Sequence, residues 1–335
     1  MQEIRIALLG FGGIAASHKV AYDALYKEGA GIRLVAICDK NGNFEKRSVV
    51  TNLGTVDTGS FDGIELFTSF EEMLEKCDFD AVDICLPTFL HKEFTLAALA
   101  AGKHVLCEKP MALTYEDCAS MIDAARLAKK QLMIGQCLRF DECYRYLRDL
   151  NRSGRYGKAR RAFMSRLSPL PTWGAADIYK KIELTGGCTM DLHIHDLDMM
   201  RFVFGEPESI SSIEYLRESG HQYISSRLFY SDMIAEAEAS FDESISTPFS
   251  MSYRVRFDEA TVIFDEKGVT VYPDDGEPHS PNLKNTDRIA EEIRYFSECI
   301  RSGENNENAP SDTALSIRLA LAANESAKCR GIINL

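Results

Sequence analysis

Hydrophobic residues follow two different rhythms along this chain. Up to about residue 136, short unbroken runs of Val, Ile, Leu and Cys alternate with stretches in which apolar residues recur at helical spacing. The unbroken runs are Ile4–Leu9, Arg33–Cys38, Ala81–Leu86, His104–Cys107 and Leu132–Gly135, with a weaker one at Glu65–Thr68. Such runs predict strands buried on both faces, as in a parallel sheet. Between them, Ser17–Lys27, Phe70–Cys77, Lys92–Ala101 and Tyr115–Lys130 are rich in Ala, Leu, Glu and Lys and predict helices. The alternation implies a doubly wound α/β domain.

After about residue 150 the rhythm changes to a strict period of two. In Met233–Phe241, residues Met233, Ala235, Ala237, Ala239 and Phe241 point one way, and Glu236, Glu238 and Ser240 the other. That is the signature of a half-solvated antiparallel strand. Gln222–Tyr230, Phe249–Phe257, Thr261–Phe264 and Val269–Tyr272 read as its neighbours, and two helices, Asp287–Ser302 and Thr313–Lys328, follow around a polar loop at Gly303–Pro310. The expected second domain is α+β, with an open, mostly antiparallel sheet.

Length supports two domains, because 335 residues exceed what one hydrophobic core usually holds. The formal charge of −13, with no stripe of Lys and Arg, argues against nucleic acid as a partner. The first apolar run carries Glu3 and leads straight into glycines, so it reads as a strand and not as a signal peptide. No run reaches the roughly 18 apolar residues of a membrane span. Ten cysteines are scattered without a CxxC pair, and Cys38, Cys85 and Cys107 sit inside apolar runs. A soluble protein of the reducing cytoplasm is expected.

The most informative turn is Gly10-Phe11-Gly12-Gly13-Ile14-Ala15, which follows a predicted strand and opens a helix. Glycines there allow a tight turn and close backbone approach, and the helix N-terminus attracts a pyrophosphate. Asp39 ends the next strand, 24 residues after Ala15, where a carboxylate binds the adenosine ribose hydroxyls. Asp39 favours NAD by repelling a 2′-phosphate, whereas Lys40 beside it attracts one, so NADP stays open as an alternative.

Asp39, the turn Leu86-Pro87-Thr88-Phe89-Leu90-His91, Glu108-Lys109-Pro110, and Gly186-Gly187 followed by Asp191 and His195 occur in this order along the whole length. The set resembles the Gfo/Idh/MocA family of glucose–fructose oxidoreductase and inositol dehydrogenase. The resemblance implies a dinucleotide-binding Rossmann domain over residues 1–136. It implies a substrate-binding and oligomerisation domain over 137–335, whose terminal helix is free to pack back on the first. It further implies that Lys109, Asp191 and His195 form the catalytic group, and that Leu86, Pro87, Thr88, His91, Glu108 and Lys109 join the glycine turn and Asp39 around the cofactor. A homodimer or homotetramer built on the open sheet is expected. Where many members have glycine between the Asp and the His, this chain has His193, which is expected to reshape the substrate pocket.

The residues themselves suit hydride transfer from a secondary alcohol of a sugar, polyol, inositol or related compound. A base must reach the hydroxyl proton as the hydride leaves. Lys109 closes a parallel strand at the sheet edge where such folds bind ligands, and Pro110 restricts its backbone. Asp191, His195 and Asp198 share a face at i, i+4 and i+7 of a helix with Thr189 as its expected N-cap. A carboxylate beside an imidazole sets its tautomer and raises its pKa. Arg139, Trp173, Tyr179 and His91 are further candidates for a sugar pocket. His193-x-His195 with Cys188 and Asp191 has zinc-type ligands, but residues two apart on a helix diverge, so no metal is expected. Two rival readings share the same resemblance: a glycosidase using resident NAD for transient oxidation and elimination, and a dinucleotide-binding regulator without turnover.

Overall fold

Residues 3–42, 44, 48–51, 54–172, 178–305 and 307–335 are described in the computed structural model, which falls into two units. One runs to Cys137 and also takes in Asp287–Ala314; the other holds most of what lies between, and Leu315–Leu335.

The first unit contains β1 (Ile4–Leu9), α1 (Gly13–Lys27), β2 (Ile32–Cys38), the hairpin β3 (Ser48–Thr51) and β4 (Gly54–Asp57), β5 (Glu65–Phe67), α2 (Phe70–Lys76), β6 (Ala81–Ile84), α3 (His91–Ala100), β7 (His104–Glu108), α4 (Tyr115–Ala128) and β8 (Leu132–Gly135). Six strands form one parallel sheet in the order β5-β2-β1-β6-β7-β8. The order reverses between β1 and β6, which opens a crevice at the carboxyl ends of those two strands. Helices cover both faces, which is why β6 is buried throughout and reads as an unbroken run. Ser69 and Thr114 start α2 and α4 by accepting the Glu72 and Asp117 backbone N–H groups.

The second unit contains α5 (Glu142–Ser153), β9 (Ala159–Pro169), α6 (Ile182–Thr185), α7 (Ile194–Phe204), β10 (Ser209–Leu216), β11 (Gln222–Phe229), β12 (Ile234–Glu243), β13 (Ser250–Phe257), β14 (Ala260–Asp265) and β15 (Gly268–Pro273). After these come α8 (Arg288–Ser302), α9 (Pro310–Cys329) and β16 (Ile332–Asn334). The eight-stranded sheet runs β15-β14-β13-β9-β12-β11-β10-β16 and is antiparallel except for the parallel pair β9–β12. On β12, Ala235, Ala237 and Ala239 are buried, whereas Ile234, Glu236 and Glu238 lie on the opposite face. Cross-strand register puts Phe163, Ile213, Tyr215, Tyr272 and Ile332 on that outward face, all of them exposed.

One segment departs from the sequence reading. Helix α8, expected with the second domain, belongs to the first unit, where Ala290, Ile293 and Phe296 share a core with Ile6, Leu8, Tyr22 and Leu25. Its amphipathic stripe completes the cover over β1 and α1, and chain order does not limit where such a stripe is buried.

Candidate active site

The crevice of the first unit is made by glycine. Gly10 follows β1 with φ +92°, and a Cβ there would lie 2.6 Å from the Cys85 carbonyl oxygen and 3.1 Å from Leu86 Cδ2. Only a residue without a side chain lets the turn sit against the end of β6. Gly12 is the N-cap of α1; it is exposed, and a Cβ there would meet nothing within 4 Å. No side chain caps this helix and its first turn holds no acid. Its first N–H groups therefore form an open, partly positive end suited to a phosphate.

Asp39 stands beside the turn, its carboxylate accepting the Phe11 N–H at 3.0 Å and the Asn41 N–H at 2.9 Å, and Lys40 next to it is exposed. Ile14 is exposed, whereas the Phe11 and Ala15 side chains point into the core, so those two can meet a ligand only through their backbone. The Gly10–Gly12 turn thus meets Asp39 on one side and Leu86, after β6, on the other, and this donor set fits a dinucleotide.

His91 and Glu108 play another part than expected. His91 is buried, with Nδ1 2.8 Å from the Pro110 carbonyl oxygen and Nε2 2.7 Å from that of Leu86, and burial pulls its pKa below the ordinary value. It ties two crevice loops together. Glu108 is buried too; its carboxylate accepts the Lys109 N–H at 3.1 Å and lies 3.0 Å from His18 Nε2. Both side chains are committed to holding loops. Lys109 itself follows β7, is half-buried, and is joined to Pro110 by a cis peptide.

In the second unit, Gly186 and Gly187 turn the chain with φ of +76° and +67°. A Cβ on Gly187 would come within 2.4 Å of Gln222 Oε1, the atom that accepts the Cys188 N–H. Where an α-helix capped by Thr189 is expected, Thr189–His193 forms a π turn, Thr189 caps nothing, and α7 begins at Ile194. Such wide turns recur at functional sites. Between Gly187 and Arg201 only Asp191 and His195 escape full burial. Tyr179, edge-on to Phe241 at 6.2 Å, is pushed up in pKa by burial and by the Asp191 carboxylate, which places Asp191 and Tyr179 in one field.

The remaining candidates are structural. His193 is buried with Nε2 2.8 Å from Ser226 Oγ, and burial pushes its pKa down to about 3. It is a neutral core histidine. Arg139 is buried in a two-pronged pair with Asp198, Nε to Oδ2 at 2.9 Å and Nη2 to Oδ1 at 2.6 Å, so it cannot reach substrate. That pair also removes Asp198 from the face of Asp191 and His195. Arg166 holds Asp196 in the same manner, at 3.0 and 3.2 Å. The two arginines clamp α7, and Asp191 in the turn before it and His195 in its first turn stay half-buried. Trp173 lies outside the described residues. A hollow of about 620 Å³ lined by Lys158, Phe204, Tyr230 and Asp258 sits at the far end of α7 and has no part in this constellation.

Comparison with known proteins agrees with these features. Residues 4–136 match the model of the oxidoreductase family with an NAD-binding Rossmann fold, and residues 144–270 match the GFO/IDH/MocA C-terminal domain. A 1,5-anhydro-D-fructose reductase of Ensifer adhaerens is 31% identical over 266 residues, covering 78% of this chain and 72% of that one. A myo-inositol 2-dehydrogenase of Thermotoga maritima is 27% identical over 96% of both. Levoglucosan dehydrogenase, solved with NADH and L-sorbose, superposes with a TM-score of 0.82 at 19% identity over 100% of this chain and 99% of that one, a likeness of fold.

Two outcomes check the structural assignments. Arg139→Ala leaves Asp198 buried and short of its main partner, so it is expected to cost about 3–5 kcal/mol in denaturant melts. A loss under about 1 kcal/mol together with a raised KM would return Arg139 to the substrate site. For His193, the unfolded chain takes up a proton below pH 6.5 while the folded protein does not until about pH 3, so stability falls as pH falls through that window. The contribution is about 1.4 kcal/mol per pH unit. His193→Gln should flatten the stability profile between pH 6.5 and 4.5 by up to one proton, and an unchanged slope would contradict the neutral assignment.

Proposed function

The chain belongs to the Gfo/Idh/MocA oxidoreductase family, and within it we propose that this protein is an NAD-using dehydrogenase acting on a secondary alcohol of a sugar, polyol or inositol. The observation that carries the reading is that between Gly187 and Arg201 only Asp191 and His195 are not fully buried, in a chain whose first unit offers an uncapped helix end with the Asp39 carboxylate beside it. In this reading Gly10–Ala15 and the start of α1 hold the pyrophosphate, and Asp39 the adenosine ribose.

Bound nicotinamide supplies the hydride acceptor. Lys109 takes the hydroxyl proton, a role a half-buried amine at a strand end can fill. His195 hydrogen-bonds the reacting oxygen, and Asp191, four residues earlier, adds a carboxylate to the same strip. The sugar and inositol enzymes among the relatives support an alcohol of this class. The outward sheet face supports self-association in a homodimer or homotetramer. It is rich in exposed apolar side chains, and its acids are already matched: Glu236 by Arg227 at 2.6 Å, and Glu238 by Ser165 and Tyr223, each at 2.8 Å.

Three measurements test the reading. NAD should bind more tightly than NADP, with Asp39→Ala narrowing the gap in titrations; equal affinities in the unaltered protein would remove Asp39 from that role. In a panel of sugars, polyols and aryl glycosides followed at the nicotinamide absorbance and by product analysis, Lys109→Met should keep NAD binding and lose about 10²–10⁴-fold in turnover. Near-normal turnover would make the lysine structural. Product without net NADH would point instead to a redox-neutral reaction. Light scattering at micromolar concentration should give a dimer or tetramer mass, and a monomer would refute the association.

A further inference from the structure

Five ionisable side chains meet in the core of the first unit, all of them buried. His18 of α1 is fully buried; its Nδ1 lies 2.7 Å from Asp83 Oδ2 of β6 and its Nε2 3.0 Å from Glu108 Oε1 of β7. Tyr22, one turn further along α1, also donates to Asp83 Oδ2 at 2.8 Å. Both ring nitrogens face carboxylates, and both can donate only if the ring carries two protons. Burial is the largest single influence and works against that charge, but the Asp83 and Cys85 side chains together outweigh it and hold the pKa of His18 well above the ordinary value.

The fifth member is Glu292 of α8. It is fully buried, neither of its oxygens has a hydrogen-bond partner among the described residues, and a carboxylate oxygen lies within 4.8 Å of ligand atoms of His18 and Glu108. An unmatched carboxylate cannot stay ionised there. Burial and the Glu108 carboxylate push its pKa well up, so it keeps its proton. The spacing of 3.0 Å between His18 and Glu108 is that of a hydrogen bond, so a proton and not a cation occupies that line.

The consequence reaches Lys109. The other oxygen of Glu108 accepts the Lys109 backbone N–H at 3.1 Å. Oε1 of Glu108 lies close against Gly135, where an added Cβ would come within 2.9 Å of it. We infer that His18 is a positioning residue for Lys109: held by Asp83 and Tyr22, it fixes the Glu108 carboxylate, which in turn fixes the lysine's backbone, with Glu292 as the uncharged wall of the same cluster. Through it the helix that opens at the glycine turn is tied to the lysine after β7. That this positions a catalytic group rests on the proposed role of Lys109; the tether itself does not.

Hydrogen exchange at the Lys109 amide separates the two. In His18→Gln that amide should exchange at least tenfold faster, with amides of β1 and β8 unchanged, and kcat on the best panel substrate should fall while the Kd for NAD stays level. Should that variant not fold, Glu108→Gln offers one carbonyl oxygen in place of two acceptors and should loosen the same amide. Unchanged exchange at Lys109, or an equal rise across β1, β6 and β8, overturns the inference. If the amide loosens while Lys109→Met still turns over normally, the tether stands and the catalytic reading falls.

Glu292→Gln tests the proton. Folded Glu292 retains a proton that the unfolded chain gives up above about pH 4.5, so it costs stability increasingly as pH rises. The groups facing it are His18 and Tyr22 from α1, Asp83 from β6, Glu108 from β7, Cys137 after β8 and Arg288 from α8. Replacement by Gln should raise Tm at pH 8, with the gain shrinking toward pH 5. A lowered Tm at pH 8, or a divalent metal present at one per chain in the purified protein and lost in Glu292→Gln, would replace the proton cluster with a metal site and overturn the assignment.

Discussion

A charge withdrawn from water has to be met by an opposite charge or surrendered to a proton, and both units of this protein are arranged around that requirement. In the second unit, Arg139 and Arg166 meet Asp198 and Asp196, and the two pairs fasten α7 on its buried sides. In the first, His18 meets Asp83 and Glu108 while Glu292 keeps its proton. Polar residues that look like site components in the sequence turn out to be the fastenings.

Close backbone approach is the complementary device. Gly10 brings the turn after β1 against the end of β6, Gly135 makes room for Glu108, and Gly187 lets Gln222 reach the Cys188 amide. Each is a place where a methyl group would strike a neighbouring atom, so composition and packing cannot be separated there. The crevice exists because the first of these glycines sits where the strand order reverses.

Much of the candidate site could be read in advance. Gly10, Gly12, Asp39 and Lys109 occupy the strand ends their spacing implied, because short strand-turn-helix units fold by local rules. Asp191 and His195 were also placed on one open strip, although a π turn and not a capped α-helix sets it. Arg139, His91, His193 and Glu108 were misread, since a polar residue in a motif looks the same whether it faces ligand or core. Nothing in the local pattern marked His18, Tyr22, Asp83 or Glu292 as a group, because 65 residues separate His18 from Asp83 and Glu292 enters from a distant helix.

Hydrophobic periodicity by itself determined the two architectures: unbroken runs can only be strands covered on both faces, and strict alternation only a half-solvated sheet. It determined the glycine turn for the same reason, since that geometry is local. It could not reveal β9, the strand that joins the two halves of the eight-stranded sheet, because Arg160, Arg161 and Arg166 break its pattern and Arg166 meets Asp196, 30 residues away. Nor could it assign α8 to the first unit or tell a matched charge from an available one. Those outcomes depend on partners brought together by folding, and only the tertiary structure decides which charges meet.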